Sequence, residues 1–560
     1  MALFALETRE WSAPRPVARL LGTANQQHLT AWITTLGAAL AFLMRWTQDD
    51  AYISLRYARN LATGHGLVYN PGEFVEGYTN FAWTVLMAVP LKLGIDPVLF
   101  GHLVSIAFMV VTILALITLA TRVFGSPLMG NLCGLVLLGN ATFLWYGTGG
   151  LETQMQTALV TMVWLLALPV LRRSGKPPTA ATLALLSALA GLSLLTRLDS
   201  VLVVLIPMLA VFWDVCRQPD TRLIRLPALF GPALAMVLPW TLWRLSTYGS
   251  LIPNTATAKA NPLSISVLQG LSFLALFVTV NLLFVFLPSA LRYGGQLLAR
   301  APFGAIAGTI AVWVAYILKV GGDFMEFRFM VCVLPLLSVV LVALMSLTRS
   351  PRYQSVLLAS LAVGFVLHVA VMGTGGVLNI DSTGNLDAFV TDPDSGLAAL
   401  GVEINEALKG SPEAEQPGSG SAVIATGGAG AIPYYAQLRN VDPFGLTDVW
   451  TAEHGTVVME GRIPKQGHSR MTTFEHLDQE GVNILIGTRG KPRPDGYDLD
   501  DLRFIFRGAD PDIENLRSDA TMIEIPMDDG RVYPAVYLRE HRDIENAVQT
   551  GRWNEVPLRR

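Results

Sequence analysis

The sequence predicts a polytopic α-helical membrane protein that ends in a mixed α/β domain. Of its 560 residues, 52% are hydrophobic and only 15% are charged, whereas soluble domains carry about 25% charged residues. Long apolar runs fill the chain up to residue 373, and the last third is polar. The net charge of −3 gives no indication of a nucleic-acid partner.

The first element is a polar and basic segment, residues 1–28, without the pattern of a cleaved signal peptide. The transmembrane domain is predicted over residues 29–373, where eleven apolar runs have the roughly 17 to 25 residues that a spanning helix needs. These runs are 29–46, 98–121, 127–147, 154–171, 179–196, 198–216, 226–247, 267–289, 302–319, 329–348 and 354–373.

One shorter run, residues 81–95, contains Pro90 and Lys92 and is either a further span or a helix in the membrane interface. Basic residues decide between the two, because Lys and Arg accumulate in short cytoplasmic connections. If 81–95 does not span, every basic connection lies on the side of the basic N-terminus. These connections contain Arg122, Arg172, Arg173, Lys176, Arg217, Arg222, Arg225, Arg292, Arg300, Arg349 and Arg352.

The interfacial alternative therefore predicts a multi-pass protein of the inner (plasma) membrane with a cytoplasmic N-terminus. Residues 47–97 then form the first outer loop with its juxtamembrane helices, and residues 374–560 form an extracytoplasmic domain. That domain contains short strand-like runs, "SAVIATG", "NILIG", "MIEIP" and "VYPAVYL", separated by turns. Residues 409–421 are predicted to be a flexible surface loop, and glycan binding is one candidate role for the whole domain.

The stretch "ATGGAGAIPYY", residues 425–435, lacks the glycine and lysine positions of a phosphate-binding loop, and Pro433 should interrupt the expected helix. It is predicted to be a turn after a strand, with Tyr434 as a candidate for stacking on a sugar. The three cysteines and the isolated His65 fit no metal site. No metal is therefore assigned, and a divalent cation stays an open alternative.

Two adjacent acids, Asp49 and Asp50, follow the first span in "WTQDDAYISLRYARN". Adjacent residues of a helix point about 100° apart, so one acid can face a cavity while the other has a different role. Acids at a helix start also cap free N–H groups. For either residue, capping therefore stands beside catalysis as an interpretation.

Further polar residues lie in the predicted outer connections "GHGLVYNPGEFVEGYTN", "GGLETQ", "TRLDS", "IPNTATAK" and "GGDFMEFRF". Singly, such residues are often structural ion pairs at a membrane boundary. Together, cations beside carboxylates suit an anionic ligand, such as a lipid phosphate, and a base that removes a proton from a hydroxyl. The candidate substrate-binding residues are His65, Glu76, Asn80, Glu152, Arg197, Asn254, Asp323 and Tyr434.

The segment "QDDAYISLRYARNLATGHGLVYNPGEFVEGYTNFAWT" resembles the first outer loop of the AftB-like arabinofuranosyltransferases, which are polytopic enzymes of the GT-C class. The resemblance continues through "GLET", "PNTATAK", "GGDFMEFRF" and "GAGAIPYY…VDPFGLTD". It implies a catalytic acid in the first outer loop and two juxtamembrane helices there. It also implies a polyprenyl-phosphate sugar donor, decaprenyl-phosphoryl arabinofuranose in mycobacterial members, and a glycan or glycoprotein acceptor such as arabinan or pilin.

This resemblance marks Asp49 and Asp50 as the catalytic pair, one of them being the base. The residues expected to bind the donor phosphate are Arg56, Lys259 and Arg328. The identity of the base, the choice between an inverting and a retaining course, and the acceptor stay open. A transporter or flippase predicts charges near span midpoints and matched half-repeats, and a non-catalytic scaffold does not need an intact acid pair. Neither expectation fits this sequence as well.

Overall fold

A computed structural model describes residues 11–172, 177–218, 220, 222–373, 375–408, 421–457, 470–505 and 513–560 of the chain. Two sequence-based predictions lie wholly or mainly outside this range. They concern the loop at 409–421 and the basic connection that contains Arg173 and Lys176.

The chain up to residue 372 is helical and contains the seventeen helices α1 to α17. Their bounds are α1 Arg15–Leu21, α2 Gln26–Leu43, α3 Asp49–Thr63, α4 Phe81–Leu93, α5 Pro97–Phe124, α6 Pro127–Leu138, α7 Ala141–Trp145, α8 Thr153–Leu171, α9 Ala180–Thr196, α10 Ser200–Cys216, α11 Arg222–Tyr248, α12 Asn254–Ala258, α13 Leu263–Val280, α14 Leu287–Leu298, α15 Phe303–Val320, α16 Leu334–Leu347 and α17 Pro351–Met372 in the described part of the chain. Short 3₁₀ helices at Leu283–Phe286 and Arg328–Val333 lead into α14 and α16.

Each of the eleven predicted spans is helical over most of its length. In the described residues, seven helices are long and apolar enough to cross a membrane: α5, α8, α11, α13, α15, α16 with its preceding 3₁₀ turn, and α17. Helices α6, α9 and α10 are apolar but shorter, and α2 has 18 residues. The predicted run 267–289 ends earlier than expected, at Val280, because Leu282 has a left-handed backbone with φ 50°. The protein is a multi-pass membrane protein.

Helices α3 and α4 lie between α2 and α5 and pack against each other through Tyr52, Leu55, Trp83 and Met87. Helix α4 has 13 residues and ends at Leu93, and the left-handed backbone of the following Gly94 is typical of a helix C-terminus. A helix of this length is about 20 Å long, whereas the hydrocarbon core of a bilayer is about 30 Å thick. This length favours the interfacial alternative for residues 81–95.

The C-terminal part contains helices packed around a mixed sheet, which we call the sheet domain. Its helices are α18 Thr383–Thr391, α19 Leu397–Leu408, α20 Ala431–Ala436, α21 Val449–His454, α22 Phe474–Gln479, α23 Leu499–Ile505 and α24 Arg542–Gln549. Its strands are β1 Val423–Thr426, β2 Arg439–Val441, β3 Thr456–Val457, β4 Arg470–Met471, β5 Ile484–Ile486, β6 Tyr497–Asp498, β7 Thr521–Pro526, β8 Val532–Tyr537, β9 Asn554–Val556 and β10 Leu558–Arg559.

The largest sheet has the order β2-β1-β5-β8-β7-β9. Strands β2, β1 and β5 are parallel, and the remaining pairs are antiparallel. The four predicted strand segments form β1, β5, β7 and β8, so the predicted mixed α/β character is confirmed. Apolar side chains of β1, α19 and α20 share one buried cluster with α3 and α4. The sheet domain is therefore docked on the juxtamembrane helices.

The connection between β1 and β2 differs from its prediction. After β1 the chain turns and forms the helix α20, which contains Pro433 at its third position. The N–H groups of the first helical turn have no intrahelical acceptor, so a proline is tolerated there. The expectation that Pro433 interrupts a helix was wrong.

Candidate active site

The start of α3 is fixed by the turn that precedes α8. The backbone N–H of Gln48 donates to the carbonyl of Gly149 at 3.1 Å, and the N–H of Gly149 donates to Trp46 at 3.0 Å. Gly149 and Gly150 both have left-handed backbones, and a Cβ on Gly150 would lie 2.7 Å from the Cβ of Ala51. These two glycines in "GTGGLET" therefore allow the turn to approach the first residues of α3 closely.

Asp49 points to the sheet domain. Its carboxylate accepts hydrogen bonds from the backbone N–H groups of Gly430 at 3.1 Å and Ala431 at 2.7 Å, at the start of α20. Burial raises the pKa of Asp49 to about 7, although these two N–H groups act in the opposite direction. Asp49 therefore caps a helix, but the helix belongs to the other end of the chain.

Asp50 has a different environment, because its carboxylate makes no hydrogen bond or ion pair with any residue that the structure describes. It lines two neighbouring cavities at once. Burial raises the pKa of Asp50, and the nearby charges of Lys259 and Arg328 partly oppose that rise. Asp49 also lines one of these cavities, so what distinguishes Asp50 is a carboxylate without a hydrogen bond or ion pair in the described residues.

The first cavity, which we call the membrane-side cavity, has a volume of about 540 Å³. Residues of α3, α12 and α15 and of the loop that follows α15 line it. Within the described residues, Lys259 lines it without an ion-pair partner. Arg328 also lines it, and its Nε donates to Asp323 at 2.7 Å. The buried hydroxyl of Thr255 lines the same cavity and has no hydrogen-bond partner in the described part of the chain.

A network of ion pairs and hydrogen bonds forms another wall of the membrane-side cavity. Arg197 donates to Glu152 at 2.8 Å and to Asp199 at 2.6 Å. Glu152 also accepts from the Asn80 amide at 2.8 Å, and Asn80 exchanges a hydrogen bond with Ser54 on α3. Burial alone would raise the pKa of Glu152, but the charges of Arg197 and Arg328 hold it below its usual value. Arg197 is thus paired with two carboxylates, whereas Lys259 makes no ion pair with any described residue.

The second cavity, which we call the domain-side cavity, has a volume of about 420 Å³ and lies between α3 and the sheet domain. It shares Asp50, Ile53, Lys259, Phe324 and Leu446 with the membrane-side cavity. Asp50 and Lys259 therefore stand where the two cavities meet. In the described ranges of the chain, no group of three or more His, Cys, Asp or Glu side chains could hold a metal ion.

Arg56, a predicted phosphate ligand, lies outside both cavities. Its guanidinium is buried and donates to the carbonyls of Tyr69 at 2.8 Å and Leu438 at 2.7 Å, to the carbonyl of Pro433, and to the side chain of Asn70 at 2.9 Å. All three nitrogens are therefore occupied in joining α3 to the first outer loop and to the sheet domain. This placement does not support a phosphate contact, and we leave Arg56 out of the donor site.

Two predicted substrate ligands instead join parts of the fold. Glu76 forms a buried ion pair with Arg244 of α11 at 2.6 Å. The Asn254 amide donates to the carbonyls of Gly445 at 2.8 Å and Leu446 at 3.1 Å. Both side chains hold the first outer loop and α12 in place beside the cavities, and neither lines a cavity.

Two further predicted residues lie away from the cavities. His65 is exposed and makes a hydrogen bond of 2.9 Å with Thr63. The ring of Tyr434 is buried and lies under the guanidinium of Arg59, 3.6 Å from its centroid, beside Tyr52. In this position Tyr434 is a packing contact between α20 and α3 and does not present a face to a sugar.

The structure also places in the cavities residues that sequence reasoning missed. Gln48, Thr255 and Phe444 line them. Gln48 directly precedes the acid pair, which was the one available signal. Thr255 and Phe444 have no charge, so composition and spacing do not single them out.

Solved structures with the same fold are found over most of the chain. ArnT from Cupriavidus metallidurans, bound to undecaprenyl phosphate, has a TM-score of 0.51 at 15% identity, covering 90% of this chain and 97% of ArnT. The oligosaccharyltransferase of Archaeoglobus fulgidus in its apo form has a TM-score of 0.50 at 9% identity, covering 90% of this chain and 74% of that enzyme. The protein therefore has the fold of the GT-C membrane glycosyltransferases.

The curated relatives are more specific. Over 249 residues the chain is 28% identical to the terminal β-(1→2)-arabinofuranosyltransferase of Mycobacterium tuberculosis, covering 41% of this chain and 38% of that enzyme. Over 379 residues it is 27% identical to the enzyme of the same name from Corynebacterium glutamicum, covering 59% of this chain and 53% of that enzyme. The match thus spans about half or less of each relative. No protein-family profile matches. The predicted resemblance to arabinofuranosyltransferases is confirmed.

Proposed function

We propose that this protein is a membrane glycosyltransferase that moves a sugar, arabinofuranose, from a polyprenyl-phosphate donor to a hydroxyl of a cell-envelope glycan or glycoprotein. The observation that carries the proposal is the position of Asp50. This acid has no partner among the described residues and stands where a cavity with an unpaired cation meets a cavity against the sheet domain. The names of the curated relatives support arabinofuranose as the sugar.

The donor phosphate is assigned to the membrane-side cavity. Lys259 makes no ion pair in the described structure, Arg328 makes one, and the Thr255 hydroxyl has no hydrogen-bond partner there. Fixed cations and donors of this kind stabilise the charge that develops on a leaving phosphate. The lipid tail would leave the cavity between the spanning helices. Decaprenyl-phosphoryl arabinofuranose is the specific donor that we propose, and the undecaprenyl phosphate bound to ArnT supports a polyprenyl phosphate in general.

The acceptor is assigned to the domain-side cavity. Its hydroxyl oxygen attacks the anomeric carbon of the donor, the bond from that carbon to the phosphate oxygen breaks, and the polyprenyl phosphate leaves with both bond electrons. Asp50 takes the hydroxyl proton as a general base. Asp49 is held by two backbone N–H groups, so a direct displacement that needs one free carboxylate suits this geometry better than a covalent intermediate.

The orientation follows from the same proposal. With the N-terminus in the cytoplasm, the sheet domain and both cavities face the outside of the inner (plasma) membrane. The distribution of Lys and Arg over the connections supports this orientation. The donor would then enter from the outer leaflet.

The test is a transfer assay with the full-length protein purified into lipid nanodiscs. Radiolabelled polyprenyl-phosphoryl arabinofuranose is mixed with a synthetic arabinofuranose oligosaccharide, and the extended product is counted. The wild type is expected to transfer label. The transfer rate of Asp50→Ala is expected to be lower by a factor of about 100 or more, since general bases contribute about 10² to 10⁴ in rate. The matched control is Asp495→Ala, which removes an exposed carboxylate of the sheet domain. Absence of transfer by the wild type to any glycan or protein acceptor would overturn the proposal.

A further inference from the structure

Gln48 has a buried side chain whose amide oxygen lacks a hydrogen-bond partner in the described residues. The residue is 1% exposed. It lines the domain-side cavity and stands two residues before Asp50. A buried amide oxygen that lacks a partner costs free energy, and a ligand in the cavity that donates a hydrogen bond to this oxygen would remove that cost.

The backbone of Gln48 cannot turn away from the cavity without breaking other bonds. Its N–H donates to Gly149 at 3.1 Å, and its carbonyl accepts from Ala51 at 3.0 Å. Gln48 occupies the N-cap position of α3 but makes no capping bond with its side chain. Asn, Asp, Ser or Thr would cap the helix at this position. The chain therefore has at this point a longer amide that does not cap the helix.

We propose that the Gln48 amide binds a hydroxyl of an acceptor sugar in the domain-side cavity and thereby orients a neighbouring hydroxyl of the same sugar toward Asp50. This inference rests on the proposed function, because it names the acceptor class of the same site. Gln48 is then a substrate-binding residue that sets acceptor affinity, whereas Asp50 sets the rate of the chemical step.

A sugar suits this cavity better than a protein hydroxyl does. Aromatic side chains, among them Phe324 and Phe444, line the cavity together with polar groups, as is usual for small-molecule sites. A serine or threonine side chain has one hydroxyl, which must go to Asp50, so it offers no second hydroxyl to the Gln48 amide. A sugar has several hydroxyls, so one can react while another binds Gln48.

The first experiment compares Gln48→Met with the wild type in the nanodisc transfer assay. Met keeps the length of the side chain and removes its polar atoms. We expect the acceptor KM to rise about tenfold or more, with the donor KM and the slow hydrolysis of the donor by water unchanged. Gln154→Met is the matched control. Gln154 is also a buried glutamine with an unpartnered Oε1 in the described residues, but it lines neither cavity. Its acceptor KM should stay at the wild-type value.

The second experiment uses deoxy acceptors, in which single hydroxyls are replaced by hydrogen. Its first half is done with the wild type alone, so it does not depend on the stability of a variant. One deoxy acceptor should bind the wild type about tenfold more weakly. Gln48→Met should bind this deoxy acceptor as tightly as it binds the full acceptor, because the variant lacks the amide that the missing hydroxyl would contact. That non-additivity identifies the hydroxyl that Gln48 contacts.

Three results would overturn the inference. The acceptor KM of Gln48→Met could equal that of the wild type. For every deoxy acceptor, the loss of affinity relative to the full acceptor could be the same in the wild type and in Gln48→Met. The wild type could transfer to a serine or threonine peptide and to no sugar. In all three cases the proposed function stands, because transfer still occurs. If the wild type transfers to no acceptor at all, the proposed function fails together with the inference.

Discussion

The carboxylate of Asp49 accepts a hydrogen bond from the backbone N–H of Gly430 at 3.1 Å, across 381 residues of sequence. This contact joins the helix that carries Asp50 to the turn that follows β1. The domain-side cavity lies between these two elements. The position of Asp50 relative to an acceptor thus depends on how the sheet domain sits on α3.

The first prediction concerns the close approach at Gly430. A Cβ at this position would lie 1.9 Å from the backbone oxygen of Asp49, so Gly430→Ala must displace α3 or the turn. Because a shift of about 1 Å in a catalytic group can cost about 100-fold in rate, we expect transfer to fall by about that factor. The transfer assay measures the rate, and hydrogen exchange over α3 measures the loosening of the contact.

The control for this substitution is Gly490→Ala, since a Cβ on Gly490 meets no atom within 4 Å. It should keep the wild-type rate and the wild-type exchange of α3. A Gly430→Ala protein with full activity would show that the sheet domain does not position Asp50.

The second prediction concerns the pH dependence of transfer. Burial raises the pKa of Asp50, and the positive charge of Lys259 lowers it again in part. Asp50 acts as a base only when it is ionised, so kcat/KM should rise with pH through the Asp50 pKa. Removing the charge in Lys259→Met raises that pKa further, and the acid limb of the profile should move to higher pH. The donor KM should rise as well, because the phosphate loses a cation.

Lys491→Met removes an exposed lysine of the sheet domain and should leave the profile in place. An acid limb that stays at the same pH in Lys259→Met would mean that Lys259 and the catalytic base do not interact.

The third prediction concerns the buried ion pair between Glu76 and Arg244, at 2.6 Å. Removing one partner leaves an uncompensated buried charge, which typically costs about 3 to 5 kcal/mol. Glu76→Ala should therefore unfold at a clearly lower temperature. The double variant Glu76→Leu with Arg244→Leu should recover much of the loss, since apolar residues replace such pairs well. Thermal unfolding in detergent measures both, and equal loss in the single and double variants would argue against this account.

The main features of the fold could be predicted from the sequence because membrane spans depend on local composition. Apolar runs located the helices, and four strand-like runs located the core strands of the sheet. Local patterns did not reveal the end of α13, which depends on the left-handed backbone at Leu282. They also wrongly predicted that Pro433 interrupts a helix, because local patterns do not show that it lies in the first turn of α20.

The site could be predicted only in part. Asp50, Lys259 and Arg328 were chosen for their charge, and the structure brings all three to one cavity. Arg56 has the charge of Lys259 and Arg328 and lies in the motif of Asp50, yet it donates to two backbone carbonyls that are more than 370 residues away in the sequence. No sequence pattern shows contacts of that range. Gln48 carries no charge, so its role emerges only from burial and a missing partner.

The central claim is that Asp50 removes the acceptor proton, and a single-turnover measurement tests it most directly. Wild type, Asp50→Asn and Asp49→Asn are each loaded with labelled polyprenyl-phosphoryl arabinofuranose, mixed rapidly with acceptor, and followed through one transfer. We predict that Asp50→Asn binds the donor with a Kd near that of the wild type and transfers it about 10² to 10⁴ times more slowly. The chemical step of Asp49→Asn should be faster than that of Asp50→Asn. A wild-type transfer rate in Asp50→Asn would contradict the account.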